Sequence, residues 1–427
     1  MRNRFLLRSS LTDLAALAIA MAGASFYVYG TLLPWNSLLG EQVLPMLAFL
    51  VLAMIIFSML TAQMSGPGVP RPSYGRMFAI AVGTWASTAL LIVVFRDVYF
   101  SRSFLALTAV GWVILATAHR IVRRRRPWTE RIALITAEKQ LAEDLIESPH
   151  ADVVWVIDPK FDGPVDLPDR DATMAVDLRA VLSERMAQFL SSSDVAGYRI
   201  RAFTSIYEEH TGRVPLVHLA EGWEISAPFL ETAPWLPGKR VFDTIFTAIT
   251  APLWLLVGVA VAMYIRAMTH GPALFRQRRI GYEGRPFTMY KFRTMDEDAE
   301  KDGPRFATKD DLRLIKGGKF LRKSRLDEIP QLWNVLKGEM SLVGPRAEQV
   351  PFVREFRKRI PFYEHRHLVR PGITGWAQVN YGYADDHADT IEKLTYDLYY
   401  IKHMSPVMDL RVLWKSIWTV LTGAGAR

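Results

Sequence analysis

The chain contains no cysteine, which excludes disulfides, thiolate catalysis and any cysteine-ligated zinc or iron–sulfur site. That absence is silent on compartment, because it suits a reducing and an oxidising side alike. Acidic residues are almost missing from the first third, whereas the last half is dense in charge. The hydrophobic residues, 50% of the whole, are therefore concentrated unevenly, as in a membrane part joined to a soluble part. A length of 427 residues suits two or three modules better than one. A net charge of +9 and a pI near 9.6 call for an anionic partner: nucleic acid, anionic lipid or a phosphorylated substrate.

Four apolar stretches approach the roughly 20 residues that cross a bilayer. They run about Leu11–Leu33, Val43–Ala62, Met77–Phe95 and Phe104–Ala118. Arg2, Arg4 and Arg8 ahead of the first would also suit a signal peptide, but its apolar part is long for one and three further spans follow. Basic residues set the orientation. Arg2, Arg4 and Arg8, the connection holding Arg71 and Arg76, and His119-Arg120 with Arg123–Arg126 fall on one side; the loop near Pro34–Gln42 has no Lys or Arg. Both ends are then cytoplasmic, with Arg96 and Arg102 mildly against this. Arg123–Arg126 reads as a stop-transfer anchor on anionic lipid, so no nucleic-acid partner is expected.

From Thr129 the composition becomes soluble. Arg131–Thr136 reads as a strand, Ala137–Glu147 as a helix and Asp152–Ile157 as a second strand, with another strand proposed at Val214–Leu219. This is a βαβ pattern, but the turn Thr136-Ala137-Glu138 lacks the glycines that let backbone approach a phosphate. A dinucleotide site is not expected there; a structural or partner-binding role is.

A fifth apolar run, Val241–Tyr264, is long enough to span. Basic residues flank it on both sides (Lys239 and Arg240; Arg266, Arg276, Arg278 and Arg279), and Pro252 near its centre removes a backbone donor and bends a helix. A re-entrant hairpin and a kinked crossing both remain open on these grounds.

Beyond Arg276 come polar clusters. Phe287–Phe292 reads as a strand delivering Lys291 and Arg293, and Asp296–Pro304 is an acidic, polar stretch. Leu321–Leu332 (LRKSRLDEIPQL) leads into a short helix with Asp327 and Glu328 at its start, where backbone N–H groups favour anions. Ser324 to Asp327 also fits a capping-box-like start, with Pro330 in the first turn. Gly344-Pro345 presents Arg346 from a rigid turn, as a phosphate clamp would need. Arg370–Asn380 (RPGITGWAQVN) brings an Arg, an aromatic and an amide into one Gly/Pro-rich loop.

The series KFRTM, RKSRLDEIPQLWNVLKGEMSLVGPR, RPGITGWAQVNYG and YDLYYIKHMSPVMDL closely resembles the bacterial sugar transferases, the monotopic polyprenyl phosphate phosphoglycosyl transferases. The resemblance covers roughly Leu236–Thr422. It implies a membrane protein with a four-helix transmembrane region over 1–126 and a small, degenerate Rossmann-like α/β (βαβ-like) middle domain over 127–235. An α/β phosphoglycosyl transferase domain follows over 236–427, with a re-entrant membrane helix at about 239–266 and interfacial amphipathic helices. Leu410–Leu421, with Trp414, Trp418, Arg411 and Lys415, suits such an interfacial helix; a core-facing amphipathic helix fits it as well.

By the same resemblance, Asp327 matches the nucleophile that takes a phosphosugar from a UDP-sugar, releasing UMP, and passes it to undecaprenyl phosphate in a ping-pong course. Glu328 matches the carboxylate implicated in holding Mg²⁺, the implied cofactor. Lys291, Arg293, Gln277, Arg279, Arg322, Arg325, Pro345, Arg346, Arg370, Gln378 and Asn380 form the implied substrate-binding set. Arg240, Asp243 and Pro252 fall where the family anchors and breaks its re-entrant helix. The family usually breaks it at Ser-Pro; this chain has Ala251-Pro252. Glucose or galactose is the expected sugar and the lipid bilayer an obligate partner; a homodimer is compatible, and the oligomeric state stays open. The expected place is a bacterial inner membrane, multi-pass, with catalysis on the cytoplasmic face. An ordinary glycosyltransferase, which would release UDP, and a non-enzymatic scaffold of polysaccharide assembly are the competing readings.

Overall fold

The computed structural model describes residues 2–36, 44–61, 74–94, 101–124, 129–216, 235–269, 271–295, 313–381 and 387–422. Its contacts divide the chain into two compact units, Met1–Thr211 and Gly212–Arg427. Arg71, Arg96, Arg125 and Arg126 lie outside the described residues.

The first unit opens with four apolar helices, α1 (Arg2–Tyr29), α2 (Leu44–Leu60), α3 (Tyr74–Val94) and α4 (Arg102–Arg124). By length and composition Ser10–Asn36, Tyr74–Val94 and Arg102–Arg123 can each cross a membrane, and α2 is shorter, at 17 residues. Leu17, Leu50, Met54, Ile80 and Trp112 form their shared core. At Gly111 a side chain would meet Ala20 at 3.2 Å, so α1 and α4 approach closely. Their contact includes a buried pair, with Arg120 donating to both Asp13 oxygens at 2.9 and 3.1 Å. Arg76, also buried, donates to Ser10 and Ser58.

The same unit continues with β1 (Glu130–Ile135), α5 (Lys139–Ile146), β2 (Ala151–Ile157), β3 (Thr173–Val176), α6 (Glu184–Val195), β4 (Arg199–Ala202) and α7 (Phe203–Thr211). The strands form one parallel sheet in the order β2-β1-β3-β4. Ile132 to Ile135 are fully buried, as a central parallel strand covered on both faces requires. β2, at the edge, alternates between half-buried and exposed residues. Strand order reverses between β1 and β3, the usual ligand crevice of such sheets. Here Thr136 and Asp177 face each other across it, hydroxyl to carboxylate at 3.4 Å. The strand expected at Val214–Leu219 does not form over its described part. Val214 instead donates its N–H to Thr395 in the second unit, and 217–219 lie outside the described residues.

The second unit begins its regular structure with α8 (Trp235–Ile249) and α9 (Ala251–Met268). The fifth apolar run is thus two helices. The break falls at Thr250, two residues earlier than Pro252, which sits in the first turn of α9 where no intrahelical donor is needed. A ribbon follows, β5 (Leu274–Ile280) antiparallel to β6 (Pro286–Phe292). Next come α10 (Gly318–Lys323), a 3-10 turn (Leu326–Glu328), α11 (Gln331–Lys337) and β7 (Ser341–Val343). The chain ends with α12 (Val350–Arg359), a 3-10 helix (Tyr363–Leu368), β8 (Gly372–Thr374), α13 (Trp376–Asn380), α14 (His387–Lys402) and α15 (Pro406–Thr422). Val335, Leu342, Tyr363, Leu398, Tyr400 and Val412 belong to its main core. On α15, Met408 and Val412 enter that core while Leu410, Trp414, Ile417 and Trp418 stay exposed, so the helix serves a protein face and leaves an apolar one outward.

Candidate active site

Three local features set the site. β6 carries Lys291 at its end, paired with Phe275 of β5. The chain then reverses between α10 and α11 at Arg325, whose φ of +58° is a left-handed conformation that costs a branched or bulky residue of order 1 kcal/mol or more. Finally, Gly344 and Gly372 let two backbones touch: a Cβ at Gly344 would lie 2.4 Å from the Arg370 carbonyl. Gly372 donates to the Pro345 carbonyl at 2.9 Å, and the clamped turn presents Arg346.

These pieces converge on Glu328. Its Oε1 receives Lys291 Nζ at 3.3 Å, Arg325 Nη1 at 3.4 Å and both terminal nitrogens of Arg346 at 3.4 Å. Asp327, next to it, is also buried, and its Oδ1 has no hydrogen-bond partner. Burial opposes charge on Glu328, yet Lys291, Arg346 and Arg325 outweigh it and hold the carboxyl down at about 2. Asp327 goes the other way. Burial, reinforced by the charge of Glu328, pushes it up to about 6. Burial lowers Lys291 to about 8 against the pull of Glu328. One carboxylate is thus held ionised, with its Oε1 met by three cations, and its neighbour keeps an oxygen with no hydrogen bond. Three cations against two carboxylates leave a net positive site suited to a diphosphate.

The turn corrects one expectation. Asp327 and Glu328 do not start a helix, and Ser324 does not cap one: its hydroxyl donates back to Phe320 and Leu321, closing α10. The left-handed Arg325 separates the two helices, so the carboxylates occupy the 3-10 turn between them. Asp296–Pro304 lies outside the described residues.

The remaining expected residues divide into near and remote. Gln277 accepts from Arg279 Nε at 2.8 Å, and Arg279 Nη1 donates to Ala347 at 2.7 Å, beside Arg346. Arg293 turns to Thr269 at the end of α9, and Arg322 to Thr294 at 3.0 Å; neither touches the carboxylate pair. Arg370 donates to Gly338 at 2.9 Å, and Arg240 to the last carbonyls of α11, Val335 and Leu336, at 2.6 and 3.0 Å. Both arginines satisfy the end of the helix that follows the carboxylates. Asp243 accepts from Ser341 at 2.5 Å. Asn380 is held between Trp376 and Lys415, while Gln378 keeps a buried oxygen without a hydrogen bond. Sequence reasoning passed over Arg366 and Asp397. Arg366 Nη2 donates to the Arg346 carbonyl at 2.9 Å and to Asp397 at 2.8 Å, supporting the clamp from behind. The available signal was an acidic residue on the face of α14 that otherwise carries Leu394, Leu398 and Ile401.

Comparison with known proteins adds names to this geometry. The profile described as Bacterial sugar transferase matches residues 235–423. A Bacillus subtilis (strain 168) protein, "Uncharacterized sugar transferase EpsL", is 39% identical over 195 residues, which are 44% of this chain and 89% of that protein. The chain belongs to the bacterial sugar transferase family. Within that family it is 44% identical over 246 residues to an Aeromonas hydrophila protein, "UDP-N-acetylgalactosamine-undecaprenyl-phosphate N-acetylgalactosaminephosphotransferase", covering 58% of each. It is 40% identical over 210 residues, 48% of this chain and 42% of the other, to a "UDP-glucose:undecaprenyl-phosphate glucose-1-phosphate transferase" of Xanthomonas campestris pv. campestris. The chain thus spans about half the length of these two relatives. Four apolar helices joined to a transferase domain make it a membrane protein.

Proposed function

We propose that this sugar transferase moves a hexose-1-phosphate from a UDP-sugar to undecaprenyl phosphate, releasing UMP and starting an exopolysaccharide, capsule or O-antigen repeat. The observation that carries the reading is the unpartnered Asp327 oxygen beside a Glu328 held by three cations. An Asp327 oxygen attacks the sugar-bearing phosphorus. The bond from that phosphorus to the bridging oxygen breaks, and UMP leaves with the bridging oxygen. A phosphate oxygen of undecaprenyl phosphate then attacks the same phosphorus, the bond to Asp327 breaks, and the carboxylate returns. Arg346, Lys291 and Arg325 lie where they can neutralise the phosphates, with Gln277 and Arg279 beside them; donors of this kind are worth several kcal/mol when charge develops.

The donor set also fits Mg²⁺, which takes one or two carboxylates and fills its octahedron with phosphate and water. Among the described residues no group of three or more acidic or histidine ligands occurs; Glu328 and the Asp327 oxygen beside it would be the protein's contribution, with phosphate and water supplying the rest. Bound there, the ion would withdraw charge from the diphosphate.

The α8–α9 pair is read as a re-entrant hairpin, because both arms are fastened to one body. Lys239 binds Asp409 at 2.7 Å and Asp243 binds Ser341, while Val261 and Ile265 pack with Phe292 and Leu321. Between Asp243 and Val257, Phe246, Ile249, Leu253 and Leu256 are exposed. Val259 and Met263 are exposed too, and Ala251–Met268 is by length and composition able to cross a membrane; the reading therefore rests on both arms being fastened to the same unit. The exposed face of α15 is assigned to the interface. Both arms then lie at the cytoplasmic face of a bacterial inner membrane, where nucleotide-sugars are found. Glucose, galactose and, from the Aeromonas relative, N-acetylgalactosamine are the sugars to try first. Incubating the purified protein with undecaprenyl phosphate, Mg²⁺ and a panel of UDP-sugars should release UMP with one of them; release of UDP would refute the reading.

A further inference from the structure

Among the described residues, α15 carries two cations that no acid matches. Arg411 and Lys415 lie four residues apart, so they are neighbours on one face of the helix. Both are half-buried. The Arg411 guanidinium makes no hydrogen bond or ion pair among the described residues. Lys415 donates to Asn380 Oδ1 at 2.6 Å and stands 4.6 Å over the Trp376 ring, two neutral partners. No described carboxylate acts on either cation: the ionisable neighbours are the Tyr399 phenol for Arg411 and Arg411 itself for Lys415. Lys239 and Arg366, in the same unit, instead meet Asp409 and Asp397 at 2.7 and 2.8 Å. The helix cannot roll to hide the pair. Asp409 fixes it to Lys239 and Trp235 of α8, and the Ser416 and Thr374 hydroxyls share a bond at 2.6 Å. Arg411 and Lys415 each follow an exposed apolar residue, Leu410 and Trp414, and so border the apolar face, about 100° round the helix from it.

We propose that Arg411 and Lys415 form a binding site for the phosphate of an anionic phospholipid whose acyl chains cover Leu410, Trp414 and Trp418. The inference rests on the reading of α15 as an interfacial helix and adds a specific headgroup site to it. Charge complementarity selects the occupant. Two partly desolvated cations side by side call for an anion, and the apolar border calls for one that carries chains. A phosphodiester meets both demands: the guanidinium can take two of its oxygens, and the ammonium adds a point charge already steered by Asn380. Exposed tryptophans suit the headgroup level at which that phosphate lies. A zwitterionic lipid brings its own ammonium and no net charge, so it gains less from the pair. Undecaprenyl phosphate is a lipid phosphate as well, but its phosphate has to reach the carboxylate turn. The cations that meet Glu328 there are Lys291, Arg325 and Arg346, so a resident phospholipid suits Arg411 and Lys415 better. Through Asp409 the bound headgroup would pin the same corner that roots α8.

The test uses full-length protein in a neutral detergent: wild type, the double variant Arg411→Gln/Lys415→Gln and the charge-keeping Arg411→Lys/Lys415→Arg. Each is titrated with phosphatidylglycerol, phosphatidylcholine or undecaprenyl phosphate, and bound lipids are counted by native mass spectrometry. The glutamine variant should retain one phosphatidylglycerol fewer than wild type, or bind it about tenfold or more weakly. The charge-keeping variant should recover most of that binding, and phosphatidylcholine should bind all three alike. Equal phosphatidylglycerol binding to wild type and glutamine variant overturns the proposal. So does an equal loss of both phospholipids, which would leave apolar packing as the cause, or a loss of undecaprenyl phosphate alone, which would give the pair to the carrier. Quenching of tryptophan fluorescence by brominated phosphatidylcholine vesicles separates the two levels. If Trp414→Phe/Trp418→Phe lowers the quenching while phosphatidylglycerol binding is equal, the headgroup site alone is removed. If quenching is unchanged, the interfacial reading of α15 fails and the site with it. UMP release, assayed separately, bears on the transferase reading and on neither of these.

Discussion

Two buried aspartates, one in the helical bundle and one in the 3-10 turn between α10 and α11, show how differently this chain treats the same group. Asp13 has both oxygens taken by Arg120, and Trp112 holds its backbone carbonyl at 3.0 Å. Asp327 leaves Oδ1 with no partner although three cations lie around the next residue. Asp397, in the second unit, follows the pattern of Asp13: Arg366 meets it directly. Burial pushes both Asp397 and Asp327 up to about 6, so proton affinity does not separate a paired from an unpaired carboxylate here. Hydrogen bonding does. A buried group left unsatisfied is expensive, and the fold tolerates that cost at Asp327, where an incoming phosphorus can use the oxygen.

The contrast can be broken most forcefully at Asp327 itself. Asp327→Asn should abolish UMP release and yet stabilise the protein. The sign follows from the raised proton affinity: an acid raised from 3.8 to about 6 in the fold contributes stability below 3.8 that is lost as pH rises through 6. At pH 8 the loss is up to about 3 kcal/mol, which the amide escapes. Calorimetric melting at pH 8 should therefore show a higher Tm, and a lower one would contradict the account. Next in size, Arg346→Ala should lower turnover about 10²–10³-fold, as loss of a preorganised charge donor does, measured as initial UMP release. At a matched carboxylate the outcome should invert. Arg366→Leu leaves Asp397 buried and unpaired, costing about 3–5 kcal/mol of stability, and its melting temperature should fall before its chemistry is considered.

Smaller effects sharpen the same comparison. Turnover should fall about tenfold per unit as pH drops below 6, when Asp327 takes a proton, and fall again above 8 as Lys291 loses one. A profile flat between 5 and 7 would remove Asp327 as the ionising nucleophile. Asn380→Ala, which disturbs only bonds to Trp376 and Lys415, should alter turnover by less than about threefold.

Much of this architecture was legible from periodicity and punctuation. The second and third apolar stretches, the first βαβ strands and the Phe287–Phe292 strand fall within a few residues of observed elements, because long apolar runs and β-branched runs are local signals; α1 begins nine residues before the expected Leu11 and α4 ends six after Ala118, where polar helical turns carry no apolar signal. The Asp327–Glu328 turn was not, since the reversal depends on a left-handed Arg325, a residue with no intrinsic preference for that conformation. Arg370 and Arg240 were read as substrate and anchoring residues from their motifs. Their partners are carbonyls at the end of α11, distant in sequence and invisible to spacing.

The central claim is that Asp327 carries the phosphosugar. Wild-type protein mixed with its UDP-sugar and Mg²⁺, without undecaprenyl phosphate, and then analysed by peptide mass spectrometry tests it most directly. The account predicts UMP release up to one equivalent per enzyme, and a hexose-phosphate adduct on the peptide containing Asp327 that vanishes when undecaprenyl phosphate is added. UDP in place of UMP, or an adduct on any residue other than Asp327, would contradict it.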